Sequence, residues 1–359
     1  MWPQGSLAGG WTLPRPPSRT GAKAEIVMAQ PQVAHAIVMD RYGGPEVLTW
    51  RAGGLAPLTP GLVRIRTRLA AVNHTDLKIR AGIWPIRSAK PFPYTPGVEL
   101  VGDIVELADG VMDLEIGQTV ITMMQGLGGV RAEHPGAYAE FVSVSASAVC
   151  PLPPDLDLAS VAALGLAGVT AFEGLGRLGP LTGRRLLVTG AAGGVGSAAV
   201  AIGKVLGAEV HGLVTRQNQV DRVLAQGARR AIVVDRGGPA MLGVKQYDGI
   251  FDTVGGAGFA PCVQALVDGG TLCLVGAVGG GDVAFDAWDL IRPVVLTGYS
   301  TETLDGVALA RAVAALCAGL QAGVLSPPPY EILPLRQAQT AHRRLEAGGQ
   351  VGRILLSAE

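Results

Sequence analysis

The 359-residue chain holds only four cysteines, Cys150, Cys262, Cys273 and Cys317, with no CxxC pair and no histidine at zinc-finger distance. That excludes a disulfide framework and a structural zinc module, and predicts buried, reduced thiols in a cytoplasmic protein. Net charge is missing too: 29 basic and 29 acidic residues cancel, and the arginine pairs at 184–185, 229–230 and 343–344 are scattered. No basic stripe exists to follow phosphates, so nucleic acid is not expected as a partner. Long apolar runs are also lacking. Gly, Thr or charge interrupts each one before the ~18 residues a spanning helix needs, so no membrane segment is expected. The first 33 residues carry five prolines without the apolar stretch of a secretory signal, and Met28 follows as a second methionine. This segment is expected to be a disordered extension or an overlong start, outside the fold.

What is present falls into two textures. From "AHAIVMDRYGG" onward, short β-like segments ("GLVRIRTRLAAVN", "GDIVELADG", "GQTVITMM", "AYAEFVSVSAS") with Gly and Pro between them predict a β-rich module. After "CPLPPDLDLASVAALGLAGVTAFEGL", apolar runs of strand length alternate with helical segments, from "RRLLVTG" to "PVVLTG". That alternation predicts crossover units in a doubly wound parallel sheet. The tail adds an apolar helix, "VALARAVAALCAGLQAG", and a last strand, "GRILLSA", expected to fold back on the first module. The expected division is 34–157 and 302–359 for the β-rich part, with 158–301 between them.

The run "VTGAAGGVG" at 188–196 joins a strand to a helix that starts near Val195 and ends before Gly207. Such a turn suits a pyrophosphate. Bare backbone at Gly193 and Gly194 permits close approach, Gly196 permits helix-on-sheet packing, and the N–H groups of the helix start, Val195 included, attract the anion. An NAD-preferring site places Asp or Glu about 20 residues on, to hold the ribose 2′-hydroxyl. Here Thr215 and Arg216 stand at that place. A hydroxyl beside a guanidinium suits a 2′-phosphate, so NADPH is expected rather than NADH; the competing reading is a solvated loop arginine.

These features, with "DRYGGPEVL", "AAVNHTDLKIRAG", "PFPYTPGVELVG", "GAYAEFV", "LAGVTAFEGL", "FDTVGG" and the closing "GRILL" in this order, resemble the medium-chain dehydrogenase/reductase superfamily, most closely its zinc-free quinone oxidoreductase and enoyl reductase branch. The resemblance covers about residues 34 to 359. It implies a GroES-like catalytic domain split around a Rossmann domain, with the active site in the cleft between them. Zinc-dependent relatives carry a cysteine where Asn73 stands and a histidine where Val98 precedes Glu99, and the four-cysteine lobe has no counterpart before Cys150. No metal site is therefore expected.

The chemistry so implied is hydride delivery to a quinone or an α,β-unsaturated carbonyl compound. By resemblance, Asn73 lies beside nicotinamide and substrate, and Asp76 fixes the surrounding loop; Asn73 as an ordinary turn residue is the alternative. Lys78 and Trp84 replace the family's tyrosines, one as a candidate proton donor and the other as an apolar wall. Thr170 is a cofactor contact or a hydroxyl bonded to its own helix. Val254, Gly255 and Gly276 sit at strand ends that bind ligands in such sheets. Arg353 aligns with an arginine that pairs with the pyrophosphate, Gln350 replaces a nearby lysine, and His74 reads as a polar cleft residue or a general acid. A homodimer through an edge strand such as "PVVLTGY" is expected. The competing functions are a non-redox cyclase or regulator on the same scaffold and, less favoured, a zinc alcohol dehydrogenase.

Overall fold

A computed structural model describes residues 33–235, 242–348 and 352–358. The expected N-terminal extension, through residue 32, and Gln350 lie outside them. The chain opens with a hairpin of β1 (Val33–Val38) and β2 (Thr49–Gly54). Next comes β3 (Leu62–Ala71), whose "LVRIRTRL" alternates apolar and basic residues. A period of two sends Val63 and Ile65 into the core and Arg64, Arg66 and Arg68 to the other face. There Arg64 pairs with Glu106 at 2.6 Å, and Arg66 and Arg68 share Asp103. Helix α1 (His74–Arg80) follows, then β4 (Glu99–Leu107), β5 (Thr119–Met123), β6 (Phe141–Ser145) and β7 (Val149–Pro151).

A long helix, α2 (Leu158–Gly176), leads into the second half. Its start is capped by Asp157, which accepts from the Ala159 and Ser160 amides. The alternation then runs β8 (Arg185–Val188), α3 (Gly194–Val205), β9 (Glu209–Val214), α4 (Val220–Ala225), β10 (Arg230–Val233), β11 (Tyr247–Asp252), α5 (Phe259–Ala265), β12 (Leu266–Leu274) and β13 (Val295–Gly298). These strands form a six-stranded parallel sheet in the order β10-β9-β8-β11-β12-β13. This is the doubly wound Rossmann order, with its switch point between β8 and β11. Gly207 takes φ +82° just beyond α3, the left-handed C′ position that the sequence foretells.

After α6 (Gly306–Gln321), β14 (Tyr330–Pro334) and α7 (Ala338–Ala347), the last strand, β15 (Arg353–Ser357), returns to the first half. It pairs antiparallel with β3, giving a second sheet in the order β14-β15-β3-β4-β5-β7, with β6 also on β3. The fold is thus the expected α/β arrangement of a GroES-like β-rich part and a Rossmann sheet. Strand β14 and helix α7 are elements that the sequence reading passed over.

Helix α2 is long and apolar enough, by length and composition alone, to cross a membrane, but it is mostly buried inside the fold. It is packed against α3, α6, β3 and β4, and 72% of its apolar stretch is buried. It serves as the core helix between the two sheets. All four cysteines are buried and free, and burial pushes the thiols of Cys273 and Cys317 up to about 11.

Candidate functional site

A cavity of about 890 Å³ opens between the two halves, at the C-terminal ends of β8, β9, β11 and β12. Its wall brings together Asn73, Lys78, Trp84, Thr170, Gly193, Gly194, Val195, Gly196, Thr215, Val254, Gly255, Gly276 and Arg353. Of the candidate residues, Asp76 lies buried behind the wall, and Arg216 stands exposed beyond it.

The glycine loop works somewhat differently from its sequence reading. The Gly193 amide is already bonded to the Gly190 carbonyl at 2.9 Å. The first-turn amides of α3, from Gly194 to Gly196, have no intrahelical acceptor and are the groups left for an anion. A Cβ on Gly196 would sit 2.2 Å from the Gly190 carbonyl oxygen, so its bareness serves the turn. Gly203 does the helix-on-sheet packing instead, where a Cβ would stand 2.8 Å from Leu186. Below the loop, Asp252 Oδ1 accepts from the Thr189 hydroxyl at 2.5 Å and from the Val254 and Gly255 amides at 2.9 and 3.2 Å. That bonding shapes the bend at Gly255, whose φ is +63°. Thr170 donates to the Leu166 carbonyl at 2.7 Å and still reaches the wall.

The joint between the two halves is a buried polar cluster. Asn73 is the N-cap of α1, and its amide nitrogen donates to Asp76 Oδ2 at 2.8 Å. The Asn73 side chain donates to the Ala71 carbonyl at 3.2 Å and to Glu99 Oε1 at 2.8 Å, and accepts from Arg353 Nη1 at 3.0 Å. Arg353 also donates to Glu99 at 2.6 Å, an ion pair with side chains 7% and 3% exposed. Glu99 Oε2 accepts from the Leu166 amide at 2.5 Å. That amide is free because Gly165, at φ +29° and ψ −131°, breaks α2 into two helical runs. A Cβ there would fall 2.0 Å from Glu99 Oε2. Sequence reasoning gave no role to Glu99 or Gly165. The available signal was a carboxylate opening the otherwise apolar strand "ELVG".

Arg353 touches the glycine loop as well, its Nη1 3.1 Å from where a Gly194 Cβ would be. Its Nε is buried and has no partner among the described residues. A guanidinium on the cavity wall beside the first-turn amides of α3 fits a pyrophosphate, so the residues present suit a dinucleotide.

On the β-rich side of the cavity, the Lys78 ammonium lies 4.4 Å from the Trp84 ring centroid. Burial lowers the Lys78 pKa. His74, open to the cavity yet walled by protein, is pushed below its usual value by desolvation, then by Arg353 and Lys78. Its ring is therefore neutral at neutral pH.

Comparison with known proteins agrees with this architecture. Residues 59–154 match the alcohol dehydrogenase GroES-like domain, and residues 226–356 match the zinc-binding dehydrogenase family. The chain is 29% identical over 339 residues to a quinone oxidoreductase of Lama guanicoe, covering 90% of this chain and 98% of that one. It is 32% identical over 251 residues to a chloroplastic NADPH-dependent alkenal/one oxidoreductase of Arabidopsis thaliana, covering 69% and 64%. Among solved structures, an NAD-dependent alcohol dehydrogenase superposes with TM-score 0.79 at 26% identity, over 90% of this chain and all of that one. A Salmonella enterica oxidoreductase in complex with NADP superposes with TM-score 0.78, also at 26% identity and the same coverage. The order of the two sheets, the glycine loop at the switch point and these matches together make the chain a member of the medium-chain dehydrogenase/reductase superfamily of oxidoreductases.

Proposed function

We propose that the protein is an NADPH-dependent, metal-independent reductase of quinones or α,β-unsaturated carbonyl compounds. The observation that carries this reading is Arg353: one side chain on the cavity wall lies against the glycine loop and donates to Asn73. NADPH, when bound, supplies the hydride. The Gly194–Gly196 amides and Arg353 would hold its pyrophosphate, and the α1 side of the cavity would hold the acceptor. Lys78 is placed to donate to the acceptor's oxygen, and its lowered pKa brings it closer to a working proton donor. The Trp84 face offers a flat apolar wall to a conjugated ring or chain. Both ends of the Asn73 amide are engaged, so it works by orienting Arg353 and Glu99.

Metal independence is supported by the donor set, since Asn73 and Val98 replace the expected thiolate and imidazole. Among the described residues, no group of three His, Cys, Asp or Glu side chains could hold a metal. The four buried free thiols support a reducing, cytoplasmic setting. The return of β15 to β3 supports assigning 34–157 and 302–359 to the catalytic part and 158–301 to the cofactor part.

NADPH is favoured because β9 is followed by Thr215 and Arg216 and not by a carboxylate, the Thr215 amide donating to Gln219. Asp235, two residues beyond β10, also lines the cavity. Substituting Arg216→Ala should weaken NADPH binding about tenfold in calorimetry and leave NADH unchanged. Equal small losses for both cofactors would remove the 2′-phosphate role. Tight NADPH binding without its oxidation by any of a panel of quinones and enones would favour the non-redox alternative.

A further inference from the structure

Arg80, Tyr138 and His342 are at most 2% exposed, yet the reductase reading gives them no task. They form a polar run through an otherwise apolar core. Arg80 leaves the last turn of α1, donates through Nε to the Gly43 carbonyl at 3.1 Å, pairs with Glu346, and places Nη1 3.3 Å from His342 Nδ1. His342, on α7, has Nε2 3.2 Å from the Tyr138 hydroxyl. Tyr138 in turn stands beside the Asp76 carboxyl, at the first turn of the same α1. The C-terminal end of α1 is thereby tied to α7 and to the loop before β6, and the run stops beside the first turn of the same helix.

The direction of every hydrogen bond in this run follows from its first member. A guanidinium only donates, so His342 Nδ1 must accept. The ring hydrogen then sits on Nε2 and points at the Tyr138 oxygen. The single hydroxyl hydrogen of Tyr138 is then free to turn toward the neighbouring Asp76, whose Oδ2 accepts from the Asn73 amide and whose buried Oδ1 has no hydrogen-bond partner among the described residues. We infer that Tyr138 and His342 are positioning residues, forming a one-way hydrogen-bond relay from Arg80 to Asp76 that holds Asn73, and through it Arg353 and Glu99, in place for the reaction. Burial first, then Arg80, pushes His342 down to about 3. The ring therefore stays neutral and cannot reverse the relay. Burial raises Asp76 to about 7, with Glu99 acting the same way, while the Asn73 amide, Tyr138 and Arg353 oppose it; the Tyr94 phenol also lies near. The relay thus helps to keep the Asp76 carboxylate charged at neutral pH.

The kinetic consequence rests on the reductase reading; the tautomer and the titration belong to the chain alone. The test uses the full-length protein and Tyr138→Phe, His342→Gln and His342→Leu. Nitrogen-15 spectra should show the Nε2–H tautomer of His342, and carbon-13 spectra should show Asp76 titrating about one pH unit higher in Tyr138→Phe. The acid limb of kcat/KM for NADPH oxidation should rise by the same amount, with the alkaline plateau changed less than about threefold. Gln, which carries one acceptor and one donor, should restore the wild-type limb where Leu shifts it. An Nδ1–H tautomer, or a Tyr138→Phe variant with unshifted Asp76, overturns the relay. If no acceptor is reduced by the wild type, the reductase reading fails and the spectra still decide the relay. Should the Leu variant not fold, Tyr138→Phe and His342→Gln carry the test.

Discussion

At the scale of single residues, the site is held by charges removed from water. Glu99 and Arg353 lie together where either alone would carry a large desolvation cost, and Asn73 satisfies both. Asp76 has no such cation, so burial raises it to about 7. Because its folded value exceeds its unfolded one, the stability it contributes is full below about pH 4 and lost as pH rises through 7. Asp76→Asn should flatten this dependence, making the loss of unfolding free energy between pH 5 and 8 smaller by about 2 kcal/mol; denaturant titrations at the two pH values check it, and an unchanged slope would contradict it. Resemblance to a known family singled out Asn73, Asp76, Thr170 and Arg353, each of which stands in a recognisable stretch of sequence. It could not find the Glu99–Arg353 pair or the contact of Tyr138 with His342. Their partners lie 254 and 204 positions apart, and only the return of β15 and α7 brings them together.

At the scale of elements, the decisive feature is a broken helix. Helix α2 reads in sequence as one apolar stretch, and Gly165 looks like one glycine among 52. Its φ of +29° turns the Leu166 amide toward Glu99 and leaves no room for a Cβ. Gly165→Ala should therefore disturb the polar cluster as well as the helix. We expect NADPH affinity to fall at least tenfold in calorimetry and unfolding stability to drop by about 2 kcal/mol; a variant that binds NADPH like the wild type would show that Glu99 does not depend on the kink. Strands and helices of the parallel sheet were legible because their apolar periodicity is strong and Gly and Pro punctuate them. Strand β14 and helix α7 were not. Three consecutive prolines precede β14, and α7 is a polar, amphipathic helix whose inward face is little more than Ala338, Ala341 and His342.

At the scale of the whole molecule, two sheets of different construction meet along one apolar core that runs from β3 and β4 through α2 to α3 and α6. A second, smaller cluster fills the far face of the parallel sheet under α5. The cavity lies where the sheets part, in the cleft that the family resemblance implies. The sequence could not foretell which side chains Arg353 would join, since that depends on how the halves dock. Strand β13 forms one edge of the parallel sheet, with Val295 exposed and Trp288 and Ile291 nearby and still more open. The proposed homodimer would pair β13 with its copy. Val295→Asp should give a folded monomer by light scattering, and a monomeric wild type would contradict the pairing.

The central claim is hydride delivery inside this cavity, and isotope transfer tests it most directly. NADPH carrying deuterium on the transferable C4 position should be consumed with an enone, and the reduced product should carry one deuterium at its β-carbon and none at its α-carbon. Product without deuterium at that carbon, or bound NADPH that no quinone or enone oxidises, would contradict the account.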